Sequence, residues 1–432
     1  MFKSNQGAVI ATNFGTPEVS MSDSFADSKS DDRADCSSTQ PPVKAPADAS
    51  LGDVPAQLDM DFAVPFRHRL RFTEDVLGGV DEEVLLKVLE ASTAAPARVL
   101  ACVESGIDAA VGLTAKLRAI AARNPTAIEL VDVAAVEGGE QIKNDADRLL
   151  PVLQSILDGN VDRRNYVLAI GGGAFLDAVG FAAALAHRGI RLIRLPTTVM
   201  GQADSGIGVK NAINFFGRKN WLGSFAVPWA VINDRTLLNS LSDRDWRCGF
   251  AEAVKVSLLK EPDFFHRLSL DAKSIAARDW PASERVIRRS AYWHMMHITR
   301  GGDPFEALEA RPLDFGHWSA HRLEAMTDFA VRHGEAVAIG LAIDCTYSRL
   351  VHGFPADCER QVHRCLTDLG LALSHPAIAD ADALLSGLEE FRQHLGGRLT
   401  VTMLEDVGRP IDVHEIDTDA MRLAIRTVNG QV

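Results

Sequence analysis

Five short apolar runs alternate with stretches of helical periodicity between residues 98 and 233. They read RVLACVE (98–104), AIELVDV (127–133), YVLAI (166–170), RLIRL (191–195) and AVIN (230–233). Strands that alternate with helices form a parallel sheet with helical crossovers. The pattern therefore predicts a nucleotide-binding type of α/β domain with a parallel sheet, which we place at residues 56–238.

Strand-like runs become rare after about residue 240. Segments such as CGFAEAVKVSLLK and GEAVAIGLAIDCTYSRL repeat apolar residues at helical spacing, and RLTVTML (398–404) is the one plausible strand. We therefore expect a mainly helical domain at residues 239–432. Residues 1–55 are rich in Ser, Asp, Pro and Ala, which bury too little apolar surface to offset the entropy of ordering, so a disordered tail is predicted there.

Charge and length exclude some classes of protein. The chain has 432 residues, and 45 basic against 58 acidic side chains give a net charge of −13. This charge argues against binding nucleic acid or an anionic membrane over the whole surface, although a local basic cleft for an anionic substrate is compatible with it. No apolar run approaches the roughly 20 residues of a membrane span, and the N-terminal residues lack the basic-then-apolar order of a signal peptide, so we expect a cytoplasmic protein.

A run of three glycines, 171–173, lies between the YVLAI strand and the next helix. Backbone N–H groups at such a turn approach a phosphate at the positive end of the helix, but a tight turn also uses glycine for positive φ when nothing binds. GGGAFLD is not a GxGxxG motif, and Asp177, expected in the first helical turn, could simply offset the helix dipole. Further polar residues follow neighbouring strands: Glu140 and Lys143 in GGEQIK, and Thr197 and Thr198 in LPTT.

The run GQADSGIGVKNAINFFGRKNWLG (201–223) has neither helical nor strand periodicity and predicts a long loop. Long loops inside compact domains are usually functional, and this one has more aromatic residues than a solvated surface loop. With basic residues nearby in sequence, it could supply a pocket for a phosphate or a sugar phosphate. The polar candidates are Asp204, Lys210, Lys219 and Asn220, together with Arg188 and Lys255.

One carboxylate and three histidines offer ligands for a metal. Glu252 lies in FAEAVK, His317 and His321 lie one turn apart in DFGHWSAH, and His333 lies in RHGEAVAIG. A carboxylate and two imidazoles that leave one position open form a catalytic Zn²⁺ site. Spacing leaves three histidines for two places, and a single histidine is more often structural than a ligand. We interpret the two histidines of YWHMMH, His294 and His297, as structural.

Taken in order, these motifs resemble a known family. Over residues 98–405, the chain resembles the dehydroquinate synthase superfamily of sugar-phosphate cyclases, nearest to its EboD-like branch. The motifs that carry the resemblance are GGGAFLD, HRG, LPTT, QADSGIGVKNAIN, GRKN, GFAEAVK, DFGHWSAH and HGEAVAIG. The resemblance implies an N-terminal NAD-binding domain and a C-terminal helical domain, a bound Zn²⁺ or Co²⁺, a phosphorylated sugar substrate and a homodimer. The implied reaction is redox-neutral: an alcohol is oxidised, phosphate is eliminated, the ketone is reduced, and an intramolecular aldol closes a ring.

The resemblance also implies roles for individual residues. The metal ligands fall on Glu252, His317 and His333. The substrate contacts fall on Lys210, Asn220, Lys255 and His321, with Arg188 reaching the site of a neighbouring subunit. The NAD contacts fall on Glu104, Glu140, Lys143, Gly171, Gly172, Gly173, Asp177, Thr197, Thr198, Asp204 and Lys219.

The chain departs from the family where substrate anions would lie. Asp314 stands where dehydroquinate synthases have Asn, and Ala310 stands where they have Arg. Family lysines are replaced at Met296 and in FRQHLGGRL, around residues 393–394. An anionic Asp314 would repel a substrate carboxylate and suit a neutral polyol, so we expect a heptulose phosphate such as sedoheptulose 7-phosphate.

Two other functions stay open at this point. A polyol dehydrogenase of the glycerol dehydrogenase type shares the architecture, although a plain alcohol needs no phosphate cradle such as VKNAIN and GRKN. A catalytically silent NAD-binding or scaffold protein fits the altered positions around Asp314, but the complete set of candidate metal ligands argues against it.

Overall fold

The computed structural model describes residues 57–431, except 93, 217, 307–310 and 395–396. In the N-terminal half of this part of the chain, a parallel sheet carries helices on both faces. The predicted tail at residues 1–55 and the substituted Ala310 lie outside the described residues. The strands are β1 (Leu70–Thr73), β2 (Ala97–Glu104), β3 (Ile128–Val136), β4 (Tyr166–Gly171), β5 (Arg191–Pro196), β6 (Lys210–Phe215), β7 (Arg218–Phe225), β8 (Ala230–Asp234), β9 (Val401–Asp406) and β10 (Arg409–Val413).

The helices of the first half are α1 (Glu82–Val88), α2 (Ser105–Val111), α3 (Leu113–Arg123), α4 (Leu150–Asp158) and α5 (Gly173–Leu185). The second half contains α6 (Asp243–Cys248), α7 (Phe250–Lys260), α8 (Pro262–Ala276), α9 (Trp280–Arg300), α10 (His317–Met326), α11 (His333–His352), α12 (Ala356–Asp368), α13 (Ala381–His394) and α14 (Thr418–Val428). No described helix combines the length and the apolarity that a membrane span requires.

The described strands of the main sheet follow the order β1-β8-β5-β4-β2-β3, and all of their pairings are parallel. Residues of β4 point alternately into two apolar clusters, Leu168 and Ile170 into one and Val167 and Ala169 into the other. This double burial explains the continuous apolar run in the sequence. Between β2 and β4 the chain changes its direction of travel across the sheet, which opens a crevice at the carboxyl ends of these strands.

Three expectations about strands were wrong or incomplete. The predicted loop at 201–223 is instead a short helical turn, Gly201–Ser205, followed by the antiparallel hairpin of β6 and β7. Asn211 and Asn214 of β6 are buried and hydrogen-bonded, Asn211 to Arg194 at 2.6 Å and Asn214 to Asn144 at 2.6 Å. These buried amides interrupt the apolar alternation by which a strand is normally detected.

The other two differences are smaller. The expected C-terminal strand, RLTVTML, is one arm of a hairpin, because β9 pairs with β10. The short edge strand β1 pairs with β8 and carries too few residues for a periodic signal. The partner of β9 follows it directly in the chain, whereas the partner of β1 lies about 160 residues away.

Helices α10 and α11 cross very closely where α10 begins. Gly316, with φ of 78°, precedes α10, and a Cβ added at Gly340 of α11 would lie 2.0 Å from the Gly316 carbonyl oxygen. One turn further along α11, the fully buried Asp344 accepts hydrogen bonds from the Gly316 N–H and the Trp318 indole N–H, each at 2.9 Å. The crossing is therefore both tightly packed and polar. Burial raises the pKa of Asp344 to about 7, against the pull of these two donors.

The raised pKa of Asp344 predicts a defined pH dependence of stability. The unfolded chain releases this proton at low pH and the folded chain only near pH 7, so the group's contribution to the free energy of unfolding falls as pH rises from about 4 to 7, by about 4 kcal/mol in total. In Asp344→Asn this contribution is absent. In urea unfolding of metal-free protein, the free energy of unfolding of the wild type minus that of the variant should therefore decrease as pH rises across that range.

A control variant on the same helix keeps this measurement specific. Thr346→Val changes a buried, non-titrating side chain of α11, and its stability should run parallel to that of the wild type at every pH. Parallel curves for Asp344→Asn as well would show that Asp344 does not titrate in this range.

Candidate active site

Two imidazoles and one carboxylate converge on a single point between α7, α10 and α11. Glu252 lies in the first turn of α7, and His317 and His333 are the first residues of α10 and α11. The Nε2 atoms of His317 and His333 lie 3.3 and 3.2 Å from the same oxygen, Oε1 of Glu252. All three candidate ligand atoms lie within 4.8 Å of one another. The structure therefore brings together the three residues predicted to bind a metal.

The other ring nitrogen of each histidine is also held. Nδ1 of His317 lies 3.1 Å from the Phe315 carbonyl oxygen, and Nδ1 of His333 lies 3.1 Å from the carboxylate of Glu324. Contacts of this kind orient a metal-binding histidine and select the tautomer that presents Nε2. Glu324 is itself fixed by Lys219, whose ammonium lies 2.9 Å away. Both imidazoles are thus arranged to present Nε2 to the same point.

The charges around this point are strongly coupled. Burial alone would raise the pKa of Glu252, but Lys255 and His317 lower it well below its usual range. Burial alone would lower the pKa of His333, but Glu324 and Glu252 raise it to about 9. A buried carboxylate surrounded in this way requires positive charge beside it. The donor set, one carboxylate and two oriented Nε2 atoms, fits Zn²⁺ or Co²⁺.

His321 lies in the same cleft and leaves a second grouping possible. Its ring centroid is 5.4 Å from that of His317 and 5.9 Å from that of His333, and His321, Glu324 and His333 also have ligand atoms within 4.8 Å. In this second grouping, Glu324 is already paired with Lys219. The imidazoles of His317 and His333 both face Glu252. Desolvation in the cleft and the neighbouring imidazoles lower the pKa of His321 well below its usual range, so its ring is neutral.

Lys255 connects the histidine cluster to a second acidic group. Its buried ammonium lies 2.5 Å from Oε2 of Glu252 and 3.7 Å from Oδ2 of Asp204. The other oxygen of Asp204, Oδ1, lies 2.9 Å from Nδ1 of His294 on α9. Burial lowers the pKa of Lys255, but the two carboxylates raise it by more than burial lowers it. The pKa therefore lies above its usual value, and the side chain is a permanent cation here. The expectation that His294 is only structural is corrected: it belongs to this charged cluster.

The glycine turn lies at the crevice between β2 and β4. The Gly172 N–H donates to Oε2 of Glu104, at the end of β2, over 2.9 Å. Positive φ is not the reason for these glycines: Gly172 has φ of −73°, and none of the three is among the described residues with positive φ. A Cβ at Gly171 would lie 2.5 Å from the Phe175 ring, and one at Gly173 would lie 2.7 Å from the Ser205 hydroxyl. Close approach of neighbouring groups explains why glycine is needed.

Asp177 has a role other than the expected one. It lies in the second turn of α5 rather than the first, and its Oδ2 lies 2.8 Å from the buried ammonium of Lys143. The carboxylate therefore pairs with a lysine from the turn after β3 and does not offset the helix dipole. Glu140 precedes Lys143 in that turn, and its Oε1 lies 4.0 Å from Lys219.

The two threonines after β5 lie beside the glycine turn. The Thr197 N–H donates to the Gly171 carbonyl oxygen over 3.0 Å, and Thr198 Oγ1 accepts from the Gly201 N–H over 3.0 Å. The hydroxyl of Thr197 is buried without a hydrogen-bond partner among the described residues. A polar atom of this kind is compatible with a bound ligand that supplies the missing partner.

The remaining predicted residues are less tightly held. Lys210 begins β6 and forms an ion pair with Glu306, so its charge is partly neutralised. Asn220 lies on β7 with φ of 53°, and Asp314 ends a short helical turn and lowers the electrostatic potential at Lys255. Arg188 is exposed in a turn after α5 and, within the described residues, forms no ion pair or hydrogen bond with the groups above. The structure thus does not bring Arg188 to this site.

Three residues of the site were missed by sequence reasoning. Glu324 lies three residues after His321 in HWSAHRLE, so helical spacing could have indicated that both share a face of α10. His294 and Glu306 offered no such signal, because each meets its partner through packing of segments about 90 residues apart.

Comparison with known proteins identifies the family. Residues 133–248 match the N-terminal domain of 3-dehydroquinate synthase and residues 249–392 match its C-terminal domain. The chain is 33% identical over 297 residues to the 3-dehydroquinate synthase of Rhodopseudomonas palustris (strain BisB18), which covers 66% of this chain and 77% of the relative. The chain belongs to the 3-dehydroquinate synthase family, within the superfamily of sugar-phosphate cyclases.

Two solved structures with a similar fold are cyclases. ValA, the 2-epi-5-epi-valiolone synthase of Streptomyces hygroscopicus subsp. jinggangensis 5008 with NAD⁺ and Zn²⁺ bound, aligns with a TM-score of 0.77 at 24% identity, over 87% of this chain and 100% of that chain. A 2-deoxy-scyllo-inosose synthase complexed with carbaglucose-6-phosphate, NAD⁺ and Co²⁺ aligns with a TM-score of 0.68 at 22% identity, over 83% and 96%. At these identities the comparison establishes the fold, an α/β half followed by a helical half.

The pairing of Lys255 predicts a large loss of stability when its charge is removed. In Lys255→Met, Glu252 and Asp204 stay buried while their shared cation is lost, so the free energy of unfolding of metal-free protein should fall by about 3 to 5 kcal/mol. Lys87→Met is the matched control, because Lys87 pairs with Glu83 at 2.9 Å in full exposure to solvent, and its loss should change stability by less than about 0.5 kcal/mol. Equal effects in urea unfolding would contradict the assigned burial of the Lys255 pair.

Proposed function

We propose that this protein is an NAD-dependent and divalent-metal-dependent sugar-phosphate cyclase that eliminates phosphate from its substrate. The observation that carries the proposal is the convergence of the His317 and His333 Nε2 atoms on Glu252, directly beside Lys255 and Asp204. The NAD⁺ and divalent metal bound by two cyclases of similar fold, ValA and 2-deoxy-scyllo-inosose synthase, support it.

The glycine turn and the start of α5 form the proposed site for the dinucleotide. A pyrophosphate there would meet backbone N–H groups at the positive end of the helix. Glu104 accepts the Gly172 N–H in the structure, so its carboxylate would lie beside a dinucleotide bound at this turn, where we expect it to accept hydrogen bonds from ribose hydroxyls. Lys143 and Asp177, which pair with each other, and the hydroxyl of Thr197 complete the polar lining of this site.

Glu252, His317 and His333 would hold the metal. Together, the bound groups would supply a Lewis acid for a substrate oxygen and a reversible acceptor of hydride. Lys255 would then bind a substrate hydroxyl and keep Glu252 ionised. Lys219 contacts Glu324 on one side and Glu140 on the other. It would therefore hold the metal-binding part and the dinucleotide-binding part of the site in a fixed relative position.

Lys210, Asn220 and His321 would bind the phosphate that leaves. Lys210 would supply a cation, and for this it must exchange its partner Glu306 for the phosphate. His321 is neutral, so one ring nitrogen can donate to a phosphate oxygen without placing a further cation beside His317 and His333. A phosphate oxygen held in this way can itself accept the proton that is lost in the elimination.

The substrate we propose is a neutral heptulose phosphate, in the class of sedoheptulose 7-phosphate. The supporting observation is Asp314, whose negative charge acts on Lys255 at the point where a substrate carboxylate would compete with it. A hydroxyl group avoids this repulsion. We further propose a homodimer in which the exposed Arg188 reaches the site of the neighbouring subunit, and the mass of the protein in solution tests the dimer.

Removal of a proposed ligand should abolish metal binding and turnover together. Glu252→Ala and His333→Ala each delete one of three donors, so metal content by elemental analysis should fall to background along with phosphate release. His266→Ala changes an exposed histidine of α8 and should retain both. Full activity of a metal-free Glu252→Ala variant would refute the assignment.

Substrate preference is tested by phosphate release from a panel of sugar phosphates. With NAD⁺ present, sedoheptulose 7-phosphate should be turned over in preference to the carboxylated heptulosonate phosphate of the shikimate pathway. Asp314→Asn removes the repelling charge and should move the ratio of kcat/KM values by about ten-fold toward the carboxylated substrate, since about 1.4 kcal/mol corresponds to that factor. Asp263→Asn, an exposed change on α8, is the control and should leave the ratio unchanged.

Other outcomes of the same assay would point to other functions. Exclusive turnover of the carboxylated substrate would contradict the role of Asp314 while keeping the cyclase assignment. Net NADH formation with a simple polyol, without phosphate release, would identify a polyol dehydrogenase instead. Binding of NAD without metal or turnover would identify a catalytically silent relative.

A further inference from the structure

Asp344 is a buried carboxyl group that the proposed reaction does not use. Its side chain has no exposed surface, and its hydrogen-bond partners in the described part of the chain are the Gly316 N–H and the Trp318 indole N–H, each at 2.9 Å. Neither partner carries a charge. A buried carboxylate without a cation opposes folding, so a contribution to the fold does not by itself account for this residue.

Both partners of Asp344 flank His317. Gly316 precedes it and Trp318 follows it, so one carboxylate spans the residue that presents Nε2 to Glu252. Its oxygens therefore restrain the backbone before His317 and the side chain after it.

The same turn is fixed from its other side. The Gly316 carbonyl oxygen lies so close to α11 that a Cβ at Gly340 would approach it to 2.0 Å. The ring of His317 is oriented in turn by the Phe315 carbonyl oxygen, at 3.1 Å from Nδ1. Helix α11 thus contacts both ends of the Gly316 residue and, at its own first residue, carries the second imidazole, His333.

We propose that Asp344 is a positioning residue of the metal centre, which sets the distance between the two imidazoles by tying the start of α10 to α11. The inference rests on the proposed function, because it assigns Asp344 a role toward the bound metal. Without Asp344, the Gly316 peptide and the Trp318 ring lose their shared acceptor, and Nε2 of His317 is free to move away from Glu252.

Titration of metal-free protein with Co²⁺ tests this role directly. The visible absorption of bound Co²⁺ reports ligand geometry, and its dependence on concentration gives the dissociation constant. Asp344→Ala should bind Co²⁺ about ten-fold more weakly, as for loss of a residue that orients a ligand, with an altered spectrum. Trp318→Phe deletes one of the two hydrogen bonds and should give a smaller change in the same direction, and it replaces Asp344→Ala if that variant does not fold.

Two controls separate positioning from general damage to the helix. Thr346→Val is a buried change on α11 whose hydroxyl has no hydrogen-bond partner among the described residues, and it should keep the affinity and the spectrum of the wild type. Ile343→Val removes one methylene from the core beside Asp344, and it should lower the unfolding temperature without changing the spectrum. A double variant, Asp344→Ala with Trp318→Phe, should lose less affinity than the sum of its single changes, because both act on one contact.

The outcomes distinguish this inference from the function on which it rests. Unchanged Co²⁺ affinity and spectrum in Asp344→Ala, with normal binding by the wild type, would overturn the positioning role alone. A wild-type protein that binds no Co²⁺ would overturn the proposed metal centre and the inference with it. If Ile343→Val lost as much Co²⁺ affinity as Asp344→Ala, the positioning role would also be overturned. Any disturbance of α11 would then be enough to weaken metal binding.

Discussion

The site depends on the ionisation of one buried carboxylate, Glu252. Lys255 lies on one side of it and the imidazoles of His317 and His333 lie on the other. From there, acidic and basic side chains alternate outward in both directions. The series runs His294, Asp204, Lys255, Glu252, His333, Glu324, Lys219 and Glu140, with neighbouring charged atoms between 2.5 and 4.0 Å apart. Against the opposing effect of burial, this pairing lowers the pKa of Asp204, Glu252 and Glu324 and raises that of Lys255 and His333, so the centre of the series acts as one electrostatic unit.

This series of ion pairs also connects the two halves of the fold. The glycine turn belongs to the crevice of the parallel sheet, while the imidazoles belong to the starts of two helices. Lys219 on the β6–β7 hairpin contacts both regions, since it approaches Glu140 near the sheet and Glu324 near the imidazoles. A dinucleotide and a divalent cation bound at these places would therefore be linked through Lys219.

Close backbone approach is the second constraint on the site. Gly171 and Gly173 allow the side chains of Phe175 and Ser205 to reach the glycine turn, and Gly340 allows α11 to reach the start of α10. These three glycines act through their missing side chains, whereas Gly316 also has a positive φ. The same packing leaves Asp344 enclosed beside His317, which connects the helix crossing to the metal centre.

The sequence by itself determined the class of fold, the glycine turn and the types of residue at the site. Buried parallel strands leave continuous apolar runs such as YVLAI, and helix faces leave periodic ones, because both depend on local burial. The hairpin of β6 and β7 escaped detection, since Asn211 and Asn214 are buried with polar partners that lie elsewhere in the chain. Spacing alone also left three histidines for two metal-binding positions.

Only the tertiary structure decided which side chains meet. It turned His317 and His333 toward Glu252, paired Lys143 with Asp177, and placed His294 against Asp204. Among the described residues, Arg188 is exposed and forms no ion pair with any of them. The physical reason is that charge pairing acts through space: its partners are joined by the packing of helices and strands far apart in the chain, and no local pattern of burial records that distance.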